Sequence, residues 1–254
     1  ASGGTGSATQ NFVDLTTAQT VAGAKTFTSD ISVNGITVGL GGGANGTNNA
    51  LGSYALYNNT SGQNNSAFGN AAMHKNTTGS LNNAFGYWAL YWNLTGDGNS
   101  AFGHAALFST TGASNTAMGA RSMQDNTTGS DNTAIGYYSL KANTTGTQNT
   151  AIGSGANVGS VNLNNSTAVG YGAIVNASNT IQLGNSNVTS VVTSGTISAT
   201  GFTGPLTGNA STATKLAATK NINGVAFDGS ADITIAANSN TLTGTTLASN
   251  VTVS

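Results

Sequence analysis

The chain has 254 residues, with six Lys or Arg against seven Asp and no Glu, giving a net charge of −1. Only 5% is charged, where a globular domain carries about a quarter, so no basic stripe exists to neutralise phosphates and a nucleic-acid partner is excluded. There is no cysteine, which removes disulfides and thiolate metal sites, and no run approaches the roughly 20 apolar residues of a membrane helix, so no membrane insertion is expected.

Apolar residues make up 37% of the chain, in a matrix of Gly, Asn, Thr and Ser. Low charge and abundant Gly suit a disordered linker, but the regular spacing of Ala, Leu, Ile and Phe does not. Few Lys and Arg and no Glu disfavour long helices, while Thr, Val and Asn suit strands with tight turns. The expected class is all-β. No secretory leader is recognisable at Ala1, which leaves a mature chain, a fragment, or one exported inside a particle.

Residues 1–40 read as an N-terminal β-stem. Phe12-Val13-Asp14-Leu15, Thr20-Val21 and Lys25-Thr26-Phe27 lead to Ile31–Val38, a strand–turn–strand around Asn34-Gly35. Asn-Gly is the strongest short hairpin signal, because both central residues of the turn need positive φ. Gly39-Leu40-Gly41-Gly42-Gly43 lacks the Gly-Lys-Ser/Thr ending of a phosphate loop and reads as a flexible entry into the downstream repeats.

Residues 41–186 are a repeat block. The motif Asn-x-Ala-(apolar)-Gly recurs with its glycines at Gly52, Gly69, Gly86, Gly103, Gly119, Gly136, Gly153 and Gly170, in steps of 17, 17, 17, 16, 17, 17 and 17. Leu56, Met73, Leu90, Leu107, Met123 and Leu140 keep the same frame, as do Gly62, Gly79, Gly96, Gly112, Gly129 and Gly146. The single short unit loses its residue in the arc Phe108–Thr111. A unit this small cannot enclose a core alone, so units must stack, aligning the Leu, Ile, Phe and Ala positions into continuous apolar columns. The prediction is a parallel β-solenoid (β-roll) of ~17-residue repeats, in which about eight coils at ~4.8 Å each make a rod on the order of 40 Å.

An Asn ladder runs with it: Asn48, Asn65, Asn82, Asn99, Asn115, Asn132 and Asn149, read as structural, hydrogen-bonding side chain to side chain and able to tolerate left-handed turns. A second column, Asn59, Asn76, Asn93, Asn126 and Asn143, marks the other turn. The pattern then drifts through Ser166–Gly170 and Thr180–Gly184, as a capped solenoid does.

Residues 187–254, with Val191-Val192, Ile197, Phe202, Ile222–Phe227 and Ile233–Ile235, read as a C-terminal β-stem. Neither flank holds enough apolar residues for its own core, and isolated two-stranded pieces are marginal in water. Identical strands of sister chains around a three-fold axis supply what is missing, so a homotrimer is expected.

The unit Asn132-Thr133-Ala134-Ile135-Gly136-Tyr137-Tyr138-Ser139-Leu140 with Asn143-Thr144-Thr145-Gly146 resembles the head repeats of trimeric autotransporter adhesins. It is closer still to the longer repeats of phage tail fibres and related bacterial surface proteins. The likeness covers roughly residues 45–186 and implies a left-handed parallel β-roll in an intertwined homotrimer. Leu15–Phe27, Gly208–Leu216 and Asn223–Gly229 resemble tail-fibre shaft segments. Such fibres often end in an intramolecular chaperone, which the resemblance places outside this chain or cleaved from it. The implied function is a structural and adhesive fibre segment, a phage tail fibre on the virion surface attaching to a host. A bacterial surface adhesin and a subunit of an extracellular filament are the alternatives, and the Thr and Asn ladders add an ice-binding solenoid.

Enzyme chemistry is not expected. The seven Asp recur at no fixed place in the repeat, whereas glycosidases need two carboxyl groups facing one cleft. His74 and His104 fall in different columns and read as surface polar residues, and no cofactor or metal is implied. The Asn-x-Ser/Thr sequons are a product of composition. The candidate contact residues are Tyr87, Trp88, Tyr91 and Trp92, which include both tryptophans. Aromatic faces on a neutral surface suit a cell-surface glycan, and three copies on a rigid rod would add avidity. The bland alternative is packing between subunits or in solenoid corners.

Overall fold

A computed structural model describes residues 29–44, 46–199, 201, 220–222 and 225–227. The chain divides into two units, Ala1–Val192 and Thr193–Ser254. The stem segments expected at Phe12–Leu15, Thr20-Val21, Lys25–Phe27, Phe202 and Ile233–Ile235 lie outside the described residues. In the second unit an antiparallel pair, β14 (Lys220–Ile222) and β15 (Val225–Phe227), is described, with Lys220 opposite Phe227.

The first unit is a parallel β-solenoid of about eight turns. Its first described strands are β1 (Ile31–Val33) and β2 (Ile36–Gly39), a hairpin whose turn residues Asn34 and Gly35 take φ of 50° and 78°. Next come β3 (Asn49–Gly52), β4 (Ser66–Phe68), β5 (Asn83–Phe85), β6 (Ser100–Phe102), β7 (Thr116–Met118), β8 (Thr133–Ile135) and β9 (Thr150–Ile152). The last coils contribute β10 (Asn157–Val158), β11 (Thr167–Val169), β12 (Ile174–Val175) and β13 (Ile181–Leu183). Strands β1 to β9, β11 and β13 form one sheet of eleven, parallel from β3 onward. The hairpin pairs antiparallel with β3, Val38 opposite Leu51, so residues 31–39 belong to the solenoid's sheet. A second, two-stranded column is made by β10 and β12.

Strands β4 to β9 and β11 are three residues long because the next residue is a glycine that must turn sharply. Gly136 has φ 133°, and a Cβ on it would lie 2.5 Å from the carbonyl oxygen of Gly153 in the coil above. Backbone against backbone at that distance admits no side chain. The coils therefore close to strand spacing, and Phe68, Phe85 and Phe102 stack ring on ring at 4.8 and 4.9 Å.

The strand's central Ala points inward. Ala67, Ala84, Ala101, Ala117, Ala134, Ala151 and Ala168 are fully buried, facing the fully buried column Leu56, Met73, Leu90, Leu107, Met123 and Leu140. Each of these large side chains is worth roughly 1.5–3 kcal/mol of burial. They sit in the left-handed region, with φ between 47° and 52°.

The apolar columns expected from the repeat do form, but not all inside. With side chains alternating across a strand, Ala inward puts the residue after it outward. Leu51, Phe85, Phe102, Met118, Ile135, Ile152 and Leu183 are 37–49% exposed. With Ile31, Val38, Phe68 and Val169 they form one in-register line across all eleven strands.

The two Asn columns fill the rest of the interior. Each backbone N–H of the first ladder donates to the Oδ1 below it, from Asn65 on Asn48 at 2.9 Å to Asn149 on Asn132 at 2.9 Å. Each amide but that of Asn149, which donates to Leu163 O, also donates to a turn glycine: Asn115 and Asn126 both reach the carbonyl of Gly129, at 2.9 Å each. A Cβ on Gly129 would lie 2.4 Å from Asn126 Oδ1 and 2.9 Å from Asn143 Nδ2, so the glycine is what makes room for the second ladder. Left-handed φ falls on the residues just before this ladder (Asn64, Leu81, Ser114, Asp131, Gln148), not on the ladder asparagines.

The second ladder has one fault. In the short unit Thr110 occupies the asparagine position and accepts from Asn126 Nδ2 at 3.0 Å. Having no amide to offer, it leaves Asn93 Oδ1 buried without a partner among the described residues. Thr110→Asn is expected to supply that donor and raise stability by about 1 kcal/mol, read as a higher thermal midpoint. A lowered midpoint would mean that the shortened turn, not the missing amide, dictates Thr110.

Candidate functional site

The arc after each strand glycine leaves the wall and carries the side chains that differ from coil to coil. Its first position holds Asn70, Tyr87, His104, Ala120 and Tyr137, and its second holds Tyr54, Ala71, Trp88, Ala105, Arg121 and Tyr138. The second position is left-handed throughout, with φ between 53° and 60°, and its N–H bonds the coil below, as Trp88 does to Asn70 O at 3.1 Å and Arg121 to His104 O at 2.8 Å. The backbone is thus fixed while the side chain varies: Tyr54 and Trp88 are exposed, whereas Ala71 and Ala105 are buried.

The four aromatics singled out in the sequence lie together. Tyr87 stacks on Trp88 with ring centroids 4.3 Å apart, Trp88 meets Tyr91 edge-on at 6.1 Å, and Tyr91 meets Trp92 at 5.4 Å. Tyr87, Trp88 and Trp92 are exposed and Tyr91 half-buried.

Sequence reasoning missed how far the cluster extends. Tyr57, His74, Tyr91 and Phe108 form one stack, with successive centroids at 5.6, 5.2 and 5.3 Å. His104 stacks on Tyr87 at 5.5 Å. The histidines do occupy different columns, but both columns belong to this arc, so both imidazoles join the aromatic surface. The signal was present in the 17-residue offsets 57, 74, 91, 108 and 87, 104. Tyr54, Asn70, Ala71, His74, Trp88 and Tyr91 line an open depression of about 380 Å³.

Two coils above Trp88 the arc becomes basic. Arg121 lies over the Tyr138 ring at 5.5 Å and donates from Nη1 to its hydroxyl, while Lys141 lies over the same ring at 5.7 Å. The Tyr138 phenol is held below its ordinary value, first by the Tyr137 hydroxyl and then by Arg121, and Tyr137 is raised by its neighbour in return. Lys75 lies over Trp92 at 5.6 Å. Lys141 pairs with Asp125 at 2.9 Å, the one ion pair among the described residues. Among those residues no three His or Asp side chains gather where a metal could be held, and no helix is long and apolar enough to cross a membrane.

The ladder Asn48, Asn65, Asn82, Asn99, Asn115, Asn132 and Asn149 is buried, so its amides face the interior, away from any surface ligand. No family model, curated protein or solved structure matches the chain. Fold and surface chemistry therefore carry the functional argument.

Proposed function

We propose that the chain is a segment of a homotrimeric attachment fibre, first of a phage tail fibre on the virion surface. In this reading the outward apolar line makes the contact between sister chains and the aromatic arc meets a cell-surface glycan. The supporting observation is the eleven-residue line from Ile31 to Leu183, eight of whose members are 37–49% exposed, a contiguous apolar strip rimmed by polar residues as interaction surfaces are. It is one residue wide and flanked by Asn49, Ser66, Asn83, Ser100, Thr116, Thr133, Thr150 and Thr167 on the same face. Three such ridges meeting at an axis cover one another from both sides, whereas a two-fold face would also desolvate the polar column. A bacterial trimeric surface adhesin, which the same repeat resembles, is the second reading; labelling of phage particles against bacterial cells separates the two.

The first measurement is solution mass. Sedimentation of the intact chain is expected to give a species near three times 25.0 kDa. Phe85→Glu with Ile135→Glu, both outward positions, is expected to give monomer with an unchanged β-type circular dichroism spectrum. A wild-type monomer would remove the fibre reading.

A further inference from the structure

We infer that the ligand of the aromatic arc is an acidic polysaccharide, whose sugar rings lie on the Tyr91–His74 stack and Trp88 and whose acid groups pair with Arg121 and Lys141. The inference rests on the glycan reading above and narrows it from sugars in general to acid-bearing ones.

Charge placement carries it. The solenoid coils hold three basic residues, Lys75, Arg121 and Lys141, and all three lie in this arc, as do both histidines of the chain. Of the three Asp in the coils only Asp125 shares the arc, where it pairs with Lys141. Three cations against one carboxylate leave an excess of two positive charges, on a chain whose net charge is −1. A neutral glycan gives no reason for that segregation; a polyanion does, because it is drawn to the positive strip on the solenoid coils.

Position agrees with charge. The second arc position runs Trp88, Ala105, Arg121, so Arg121 stands two coils above Trp88, about 10 Å at strand spacing. A polysaccharide laid along the arc from the depression between Tyr54 and Trp88 passes Arg121 within a few sugar units. Arg121 spends one N–H on Tyr138 and has no carboxylate partner among the described residues. Its remaining N–H groups can take an acid group bidentately, while the hydrogen bond to the Tyr138 hydroxyl tethers the guanidinium.

Trp88 and Trp92 are the only tryptophans, so intrinsic fluorescence reports this arc alone. The intact chain is titrated with polygalacturonate, hyaluronan and polysialic acid, and with the carboxyl-reduced form of each. At least one acidic member is expected to bind ten-fold or more tighter than its reduced form, and to weaken steeply with salt. Arg121→Ala with Lys141→Ala is expected to erase that ratio at unchanged thermal midpoint, since Ala71 and Ala105 already occupy the Arg121 column at the same φ. Binding of acidic and reduced forms alike, lost in Trp88→Ala, would overturn the acid inference and leave the glycan reading standing. No binding by any member would overturn both. An oligothymidylate of matched charge binding as tightly as the best polysaccharide would overturn the sugar class.

Discussion

Asn115→Ala is expected to lower the stability of the solenoid by on the order of 4 kcal/mol, measured by urea unfolding followed by circular dichroism. Asn115 is fully buried. Its amide donates to Asn99 Oδ1 at 3.1 Å and Gly129 O at 2.9 Å, and its Oδ1 accepts the backbone N–H of Asn132 at 3.1 Å and that residue's side-chain amide at 3.1 Å. Alanine removes four hydrogen bonds and orphans a buried backbone N–H that water cannot reach. Each buried donor left unpaired costs about 1–3 kcal/mol. Asn70→Ala, on the exposed arc, is the control and is expected to stay within about 0.5 kcal/mol. Equal losses at the two sites would mean that the ladder adds nothing beyond asparagine's own turn preference.

Gly136→Ala is expected to be the more disruptive, because it separates two coils. The added Cβ falls 2.5 Å from Gly153 O and 2.6 Å from its carbonyl carbon, in a backbone at φ 133° that L-residues avoid. Neither neighbour can move without unstacking its own coil. A solenoid's stability is the sum of its repeats and of the interfaces between them, so the variant is expected to lose its single unfolding transition and to be cut by protease near the altered coil. Gly98→Asp makes the contrast. Gly98 also has positive φ, 68°, but nothing lies closer than 3.8 Å to its would-be Cβ, and Asn64, Leu81, Ser114, Asp131 and Gln148 hold the same place in other coils at φ 57–62°. That substitution is expected to change stability by less than about 1 kcal/mol. A similar loss at both glycines would show that φ, not the approach of the next coil, is what Gly136 supplies.

The coils were legible because three landmarks, the strand glycine, the Leu/Met and the turn glycine, share one period. The hairpin at Asn34-Gly35 was legible from its turn chemistry. The side on which Phe85 or Ile135 points was not. A three-residue strand is too short to display alternation, and the larger residue invites the core position that Ala134 in fact takes. Only stacking decides it, since an interior already holding Leu140 and two asparagine ladders has room opposite for a methyl group. The arc was half legible. Tyr87 through Trp92 are neighbours in sequence and announced themselves, while Tyr57, His74 and Phe108 join them through the coil repeat, a relation that local reading does not see. The fault at Thr110 left a mark in the 16-residue step, but its consequence, a stranded oxygen on Asn93, needs the ladder's bonding direction to be known.

The left-handed arc position has an implication for change over time. Its backbone is held by bonds to the coil below and none of its side chains belongs to the hydrophobic core cluster, so this column already carries Tyr, Ala, Trp, Ala, Arg and Tyr on one unaltered scaffold. Point substitutions there change the surface while the buried columns stay as they are. Duplicating or deleting whole units would move that strip along the axis without retuning any contact inside. If the strip is the binding surface proposed above, such a molecule separates the part that must persist from the part that can vary, and new binding surfaces are reached one rung at a time.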